Sequence, residues 1–258
     1  MNATYVYCVL SAPRRPRPPA GARGLPRAGP VRVLDVERNL YLVVADVPVK
    51  EYGETAINAR LSDLEWVSRA AVAHERVIES FGRADAVLPM KLFTIFASDA
   101  RAVERFRGDR ARISALIKRV AHRCEFGVRV VLGRATARRR ATARRPAGRG
   151  SAKGTGAAYL AMKKADRDAA AELAEHARDT VAALYERLAS RSRHAKRRSA
   201  TELPVDGGPL LLDAAFLVPH AGARAFRAMA AREARGLARH GYALTLTGPW
   251  PPYTFVQD

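Results

Sequence analysis

The sequence predicts an α+β fold in two domains. Three observations carry that prediction. Short apolar runs bounded by Gly, Pro, Asn and Asp recur along the chain, and longer segments between them place apolar residues at three- and four-residue spacing. In the second half these alternate as strand, helix, strand, strand, helix, strand, the order of a ferredoxin-like split unit. At 258 residues there is chain enough for one large or two smaller cores, and two are expected: an N-terminal α+β domain over 1–124 and a C-terminal domain over 125–258. The second contains a basic linker, 134–153, and a Pro/aromatic tail, 248–258.

In the first half, Thr4 to Leu10 reads as a strand that the Pro-, Arg- and Gly-loaded stretch Pro13 to Pro30 cannot continue, so that stretch reads as a mobile loop. Val31 to Val36 and Leu40 to Val47 are separated by Glu37, Arg38 and Asn39, a break suited to a hairpin turn. Ser62 and Glu65 have capping-box spacing, and Leu64, Val67, Ala71, His74, Ile78 and Phe81 then form one helical stripe. His74-Glu75 lacks the second histidine of a zinc-protease motif, since position 78 is Ile78, so His74 reads as a core or hydrogen-bonded histidine. Val87 to Phe96 reads as one buried strand with Pro89 near its start. Asp99 is placed to cap a helix whose stripe of Val103, Phe106, Ile113, Ile117, Val120 and Cys124 is interrupted at Gly108-Asp109, predicting a kink or restart.

In the second half, Glu125 to Leu132 is a strand. A helix from about Ala157 to Ser192 carries the seam Leu173, Ala177, Val181, Leu184 and Leu188. Gly154-Thr155-Gly156 before it lacks the lysine and spacing of a P-loop and reads as a flexible lead into that helix. Thr201 to Val205 and Leu210 to Val218 flank a Gly207-Gly208 turn, and Arg224 to His240 is a helix with Phe226, Ala230 and Leu237 inward. Tyr242 to Leu246 is the last strand, which Gly248-Pro249 is expected to end. Beyond it, Pro249, Pro251 and Pro252 stiffen the path while Trp250, Tyr253 and Phe255 offer large apolar faces. The tail either packs on its own chain or faces a partner. Its position favours Trp250 as an internal anchor and Tyr253 or Phe255 as the contact to a partner.

The net charge of +20 resides almost wholly in three acid-free stretches. These are Arg14 to Arg27, Arg134 to Lys153 and Arg187 to Arg198. The remainder is nearly neutral, so the charge reads as loop-borne, with Arg138, Arg139, Arg140, Arg144 and Arg145 as candidate partner-binding residues. Only Cys8 and Cys124 are present, which fits a reducing cytoplasm, and Cys124 reads as a small core residue. No run approaches the roughly 18 apolar residues of a spanning helix, so a soluble protein with no membrane partner is expected. The histidines are scattered, and no nucleophile elbow, paired metal ligands or dinucleotide fingerprint is present. No catalytic residue, metal ligand or cofactor is therefore assigned, and the chain does not read as an enzyme.

Gly248-Pro249-Trp250-Pro251-Pro252-Tyr253, closing a strand near the end of the chain, resembles the closing signature of the gas vesicle protein L/F family. Two further blocks resemble the same family in the same order. One is Trp66 and His74 followed by Leu88-Pro89-Met90, Thr94 and Phe96. The other is Glu125-Phe126-Gly127-Val128 followed by Gly156, Tyr159 and Leu160. Many members of the family have Phe-Gly where this chain has Leu92-Phe93. The resemblance covers most of the chain apart from its basic loops. It implies a modified ferredoxin-like N-terminal domain and a ferredoxin-like C-terminal domain. It also implies an accessory or structural protein of gas vesicle assembly, located at the gas vesicle in the cytoplasm, that binds the small hydrophobic shell protein and other accessory proteins. The alternative reading is a basic RNA-binding module, but EFGVRVVL lacks the aromatic pattern of an RNA-reading strand, so nucleic-acid binding would be at most non-specific.

Overall fold

The computed structural model describes residues 1–132, 156–198 and 209–256. The chain divides into two units, one of Met1–Glu125 with Pro249–Asp258, the other of Phe126–Gly248. The tail, counted with the C-terminal domain on sequence, thus belongs by its contacts to the first unit.

In the first unit, β1 (Asn2–Ser11), β2 (Arg32–Glu37) and β3 (Leu40–Pro48) lead into two short helices, α1 (Val49–Tyr52) and α2 (Glu54–Arg60). The longer α3 (Leu64–Ser80) follows, then β4 (Ala86–Pro89), β5 (Ile95–Phe96), α4 (Asp99–Gly108) and α5 (Arg110–Val120). The sheet order is β2-β3-β1-β4, with β5 also paired to β1. The predicted hairpin is present: β2 and β3 are antiparallel, Glu37 faces Leu40, and Asn39 supplies a left-handed residue at φ 64°. Tyr5 to Leu10 of β1 expose no surface. Thr4 bonds Asp99 of α4 and Tyr5 bonds His74 of α3, so, since adjacent strand residues point to opposite faces, α3 and α4 cover opposite faces of the sheet. A strand covered on both sides needs a continuous apolar run, which is what YVYCVL supplies.

His74 occupies the core position predicted for it. It is 4 % exposed, and its Nε2 lies 3.1 Å from the Met90 carbonyl. A carbonyl only accepts, so Nε2–H donates and Nδ1 accepts from the Tyr5 hydroxyl at 2.7 Å. Burial holds the imidazole neutral, its pKa lowered to about 4.

Several sequence expectations are corrected here. Residues 87–96 do not form one strand. Met90 N–H still bonds the Tyr7 carbonyl and Val6 N–H the Thr94 carbonyl, both at 2.9 Å, but Lys91, Leu92 and Phe93 leave the ladder. Phe93 adopts φ 65°, a left-handed conformation that favours glycine. It is held there by its N–H, which donates to Tyr5 Oη at 3.3 Å, and by its ring, stacked on Trp66 at 5.1 Å. Asp63 rather than Ser62 caps α3, accepting from Trp66 N–H at 3.0 Å, so the capping box is not formed. Ser98 rather than Asp99 caps α4. That leaves the Asp99 carboxylate free to take a two-pronged bond from Arg32 at 2.5 and 2.9 Å. The restart at Gly108-Asp109 is present, but Cys124 lies in the following strand rather than on the helical stripe, and is buried there.

The stretch 13–30 packs on the unit instead of standing off it. Leu25 is buried with its N–H bonded to Tyr7 Oη at 3.0 Å, Gly29 N–H bonds the Asp46 carbonyl at 2.8 Å, and Tyr52 Oη bonds the Pro26 carbonyl at 2.9 Å. A β-carbon on Gly24 would meet Tyr7 Oη at 2.1 Å, so this close approach requires glycine.

The second unit takes in most of β6 (Arg123–Leu132), then α6 (Gly156–Ala189), β7 (His194–Arg197) and β8 (Leu210–Pro219). A 3₁₀ turn (His220–Gly222), α7 (Ala223–Arg239) and β9 (Tyr242–Trp250) complete the element order. The sheet order is β7-β8-β6-β9. Its core is aromatic: Phe126 and Phe216 each pack on Phe226, at 5.1 and 5.6 Å between ring centres. Ala177, Val181, Leu184 and Leu188 of α6 and Phe226, Ala230 and Leu237 of α7 are buried as their spacing predicts. The strand preceding β8 among the described residues is His194–Arg197, a segment read from sequence as basic loop, while Thr201 to Val205 and Gly207-Gly208 lie outside the described residues. β9 continues to Trp250 through Gly248 and Pro249. It lies at the sheet border, the position in a sheet that tolerates proline.

Candidate partner-binding surface at the C-terminal tail

Pro251 and Pro252 fix an extended path, after which the Tyr253 N–H to Pro251 and Phe255 N–H to Pro252 bonds, 2.8 and 3.1 Å, close one helical turn, α8 (Tyr253–Val256). Two carboxylates of the first unit receive this turn. Glu125, 4 % exposed, accepts from the Thr254 N–H at 2.7 Å and from the Thr254 hydroxyl at 2.6 Å. Glu75 on α3 accepts from the Tyr253 hydroxyl. Arg119 adds a longer bond to the Phe255 carbonyl at 3.4 Å. Phe255 and Val256 are buried, and Tyr253 packs against the core cluster around Tyr5 and Tyr7.

The electrostatics follow from burial. Desolvation raises the Glu75 pKa, opposed by the hydrogen bond from Tyr253, and its second oxygen, Oε1, is buried without a partner among the described residues. Desolvation also raises the Tyr253 pKa, reinforced by its bond to Glu75. The hydroxyl therefore stays a donor throughout the physiological range.

This geometry reverses the order expected for the tail. Trp250 is 40 % exposed and is not an internal anchor, whereas Phe255 is 6 % exposed and Tyr253 is half-buried with its hydroxyl engaged. The anchors are set by polar bonds to Glu75 and Glu125, and the turn they fix places Phe255 and Val256 inward. Arg138, Arg139, Arg140, Arg144 and Arg145 lie outside the described residues. Neither Glu75 nor Thr254 carries a sequence signal for this role. Glu125 does, being an acid inside a buried apolar strand that must find donors.

A concavity lies in the first unit, an open groove of about 630 Å³ lined by Val49, Tyr52, Ile57, Phe93, Ile95 and Phe96 among others. Burial pushes Tyr7 up to about 12 and raises the Cys8 thiol, so both stay neutral. Among the described residues no three His, Cys, Asp or Glu side chains converge as metal ligands would, and no helix is long and apolar enough to cross a membrane.

Fold and tail together define an α+β protein of antiparallel sheets and helices whose C-terminal turn is bonded into its N-terminal unit and leaves one tryptophan at the surface. The family model for gas vesicle synthesis protein GvpL/GvpF matches residues 3–257. Gas vesicle protein L of Streptomyces sp. (strain CB03234) is 28% identical over 261 residues, covering 98% of this chain and 92% of that one. The crystal structure of GvpF from Anabaena sp. PCC7120 superposes with a TM-score of 0.70 at 14% identity, covering 100% of this chain and 99% of that one. GvpF from Microcystis aeruginosa superposes with a TM-score of 0.66, also at 14% identity, covering 99% of each chain. The chain belongs to the GvpL/GvpF family of gas vesicle proteins.

Proposed function

We propose that this protein is an accessory component of gas vesicle assembly that binds the small hydrophobic shell protein and other accessory proteins, working in the cytoplasm and at the vesicle. The observation that carries the reading is Trp250, a large apolar ring at the surface on a tail fixed immediately after it by two prolines and two carboxylates. A tryptophan held in a rigid frame loses little entropy on binding and is the residue type that most often dominates an interface. Tyr253 and Phe255 then serve the site from within, by fixing the frame. Arg138, Arg139, Arg140, Arg144 and Arg145 add a basic segment that speeds encounter with acidic partner surfaces.

We take the two units as separate folding domains. The order β7-β8-β6-β9, with α6 between β6 and β7 and α7 between β8 and β9, supports a ferredoxin-like second domain, and the first reads as a modified version with extra helices. No catalytic role is proposed. Pull-down of the purified shell protein and of each accessory protein by wild type and Trp250→Ala tests the reading. Selective loss of one vesicle partner is expected. Retention of every vesicle partner by the variant would remove Trp250 from the site, and tight, salt-sensitive RNA binding with no vesicle partner would favour the RNA-binding alternative.

A further inference from the structure

We infer that the outer edge of β7 is a docking site for an extended acidic segment of a protein partner, which adds to the sheet of the second unit as a further strand. β7 lies at the border of that sheet. Its pairing with β8 runs from His194↔Leu217 to Arg197↔Ala214, and in the same register Arg198 N–H bonds the Asp213 carbonyl at 2.8 Å. In an antiparallel ladder, residues bonded to the neighbour alternate with residues whose N–H and C=O point away from it. Since Arg198 bonds toward β8, the register assigns Lys196 and His194 to the same set. Ala195 and Arg197 then direct their backbone groups outward, and among the described residues no strand pairs with this edge.

The same stretch carries one sign of charge. Arg191, Arg193, Lys196 and Arg197 are exposed and have no carboxylate partner among the described residues, while Arg187 and Arg198 are bound to Glu233 and Asp213. The Arg197 guanidinium lies 4.5 Å over the Tyr185 ring, which holds it beside the strand. A basic, four-residue edge repels a second copy of itself, so self-pairing is disfavoured while an acidic strand is attracted. Open N–H and C=O groups select a peptide backbone over a nucleic acid, which has no amide repeat to pair with them. The Tyr185 ring beside the strand is also covered by Arg197 and not free to stack a base. The inference stands whether or not Trp250 contacts the shell protein, because the two surfaces share no residue.

The test uses the full chain and a fluorescent ten-residue peptide of alternating Glu and Val. Three comparison probes are used: the same peptide with Gln for Glu, the acidic peptide N-methylated at alternate residues, and a uridine dodecamer. Anisotropy should show binding of the acidic peptide that is at least tenfold tighter than either modified peptide and falls with salt. Amide exchange at Ala195 and Arg197 should slow in the complex. Ala195→Pro removes an N–H that makes no bond within the sheet, so it should weaken binding at least tenfold and leave the melting transition in place. If that variant unfolds, the N-methylated peptide on the wild-type chain decides the matter. Equal affinity for the N-methylated peptide, or an unchanged affinity in a folded Ala195→Pro, would reduce the edge to a general basic surface and overturn the inference. Displacement of the peptide by the uridine dodecamer at lower concentration would overturn it in favour of RNA.

Discussion

The Glu125 carboxylate accepts two hydrogen bonds from Thr254, one from its N–H at 2.7 Å and one from its hydroxyl at 2.6 Å. A buried carboxylate is costly unless donors surround it, and an N–H at the start of a helical turn is costly unless an acceptor meets it. Each group removes the other's penalty across a separation of 129 positions. The end of the chain is thereby made part of the N-terminal unit.

Thr254→Val keeps the shape of the side chain and deletes the hydroxyl bond alone. Chemical denaturation should show a loss of about 1.5 to 3 kcal/mol, the range for a hydrogen bond to a charged acceptor. Carboxypeptidase should also trim the variant faster, because the tail opens more often. Unchanged stability and trimming would show that the Thr254 N–H suffices.

His74 sets an acid limit on the first unit. Its folded pKa of about 4 lies below the ordinary 6.5, so its stabilising contribution is present above pH 6.5 and is lost as pH falls toward 4. In His74→Gln, which retains an acceptor for Tyr5 and a donor for Met90, the decline in denaturation midpoint between pH 6.5 and 4 should be shallower than in wild type. Parallel pH profiles would contradict the assignment.

Glu75 acts in the opposite sense. Its folded pKa is raised above the ordinary 4.5, so the folded chain favours the protonated acid, and the contribution present below pH 4.5 is lost as pH rises through the folded value. Glu75→Gln cannot ionise. It should gain stability relative to wild type between pH 4 and pH 8, read as the difference between two urea midpoint curves. A constant difference across that range would show that burial does not perturb this carboxyl.

Phe93 separates backbone strain from ring packing. Phe93→Gly relieves a left-handed backbone, worth about 1 to 2 kcal/mol, but loses the stack on Trp66 and apolar contact of similar or larger size. Phe93→Val keeps the strain, adds a β-branch unsuited to positive φ, and loses the ring. Thermal melts should therefore rank wild type above Phe93→Gly and Phe93→Val lowest. A valine variant more stable than the glycine variant would refute the strain at this position.

Trp250→Ala removes a surface ring. Unfolding free energy should change by about 1 kcal/mol or less, as for substitutions outside the core. Binding of the vesicle partner should weaken by about 2 kcal/mol or more, the scale of an aromatic hot spot. Titration calorimetry beside a denaturation curve measures both. A large stability loss would return Trp250 to an internal role.

Except on α3, where Leu64 and Ala71 of the expected stripe are exposed and Trp66, Ala70 and Val77 are buried instead, local pattern alone determined the α+β class, the Glu37 to Asn39 hairpin, the inward faces of α6 and α7, the break at Gly108-Asp109 and the buried role of His74. In each case the information is a spacing of apolar residues or a turn residue, and neighbouring positions suffice to express it. The restless stretch 13–30 looked loop-like because one leucine among prolines and arginines has no periodicity, yet Leu25 and Gly24 fit against Tyr7. The basic run 191–198 looked like solvent-exposed loop because an edge strand needs few apolar residues.

The tail shows most clearly what tertiary structure alone decided. Trp250, Tyr253 and Phe255 are similar in sequence terms, large rings among prolines. Which of them faces inward depends on Glu75 and Glu125, far away along the chain. Composition sets how much apolar surface must be covered, but a hydrogen bond between residues more than a hundred positions apart selects which ring is covered, and that choice is made only when the tail reaches Glu75 and Glu125 in the folded first unit.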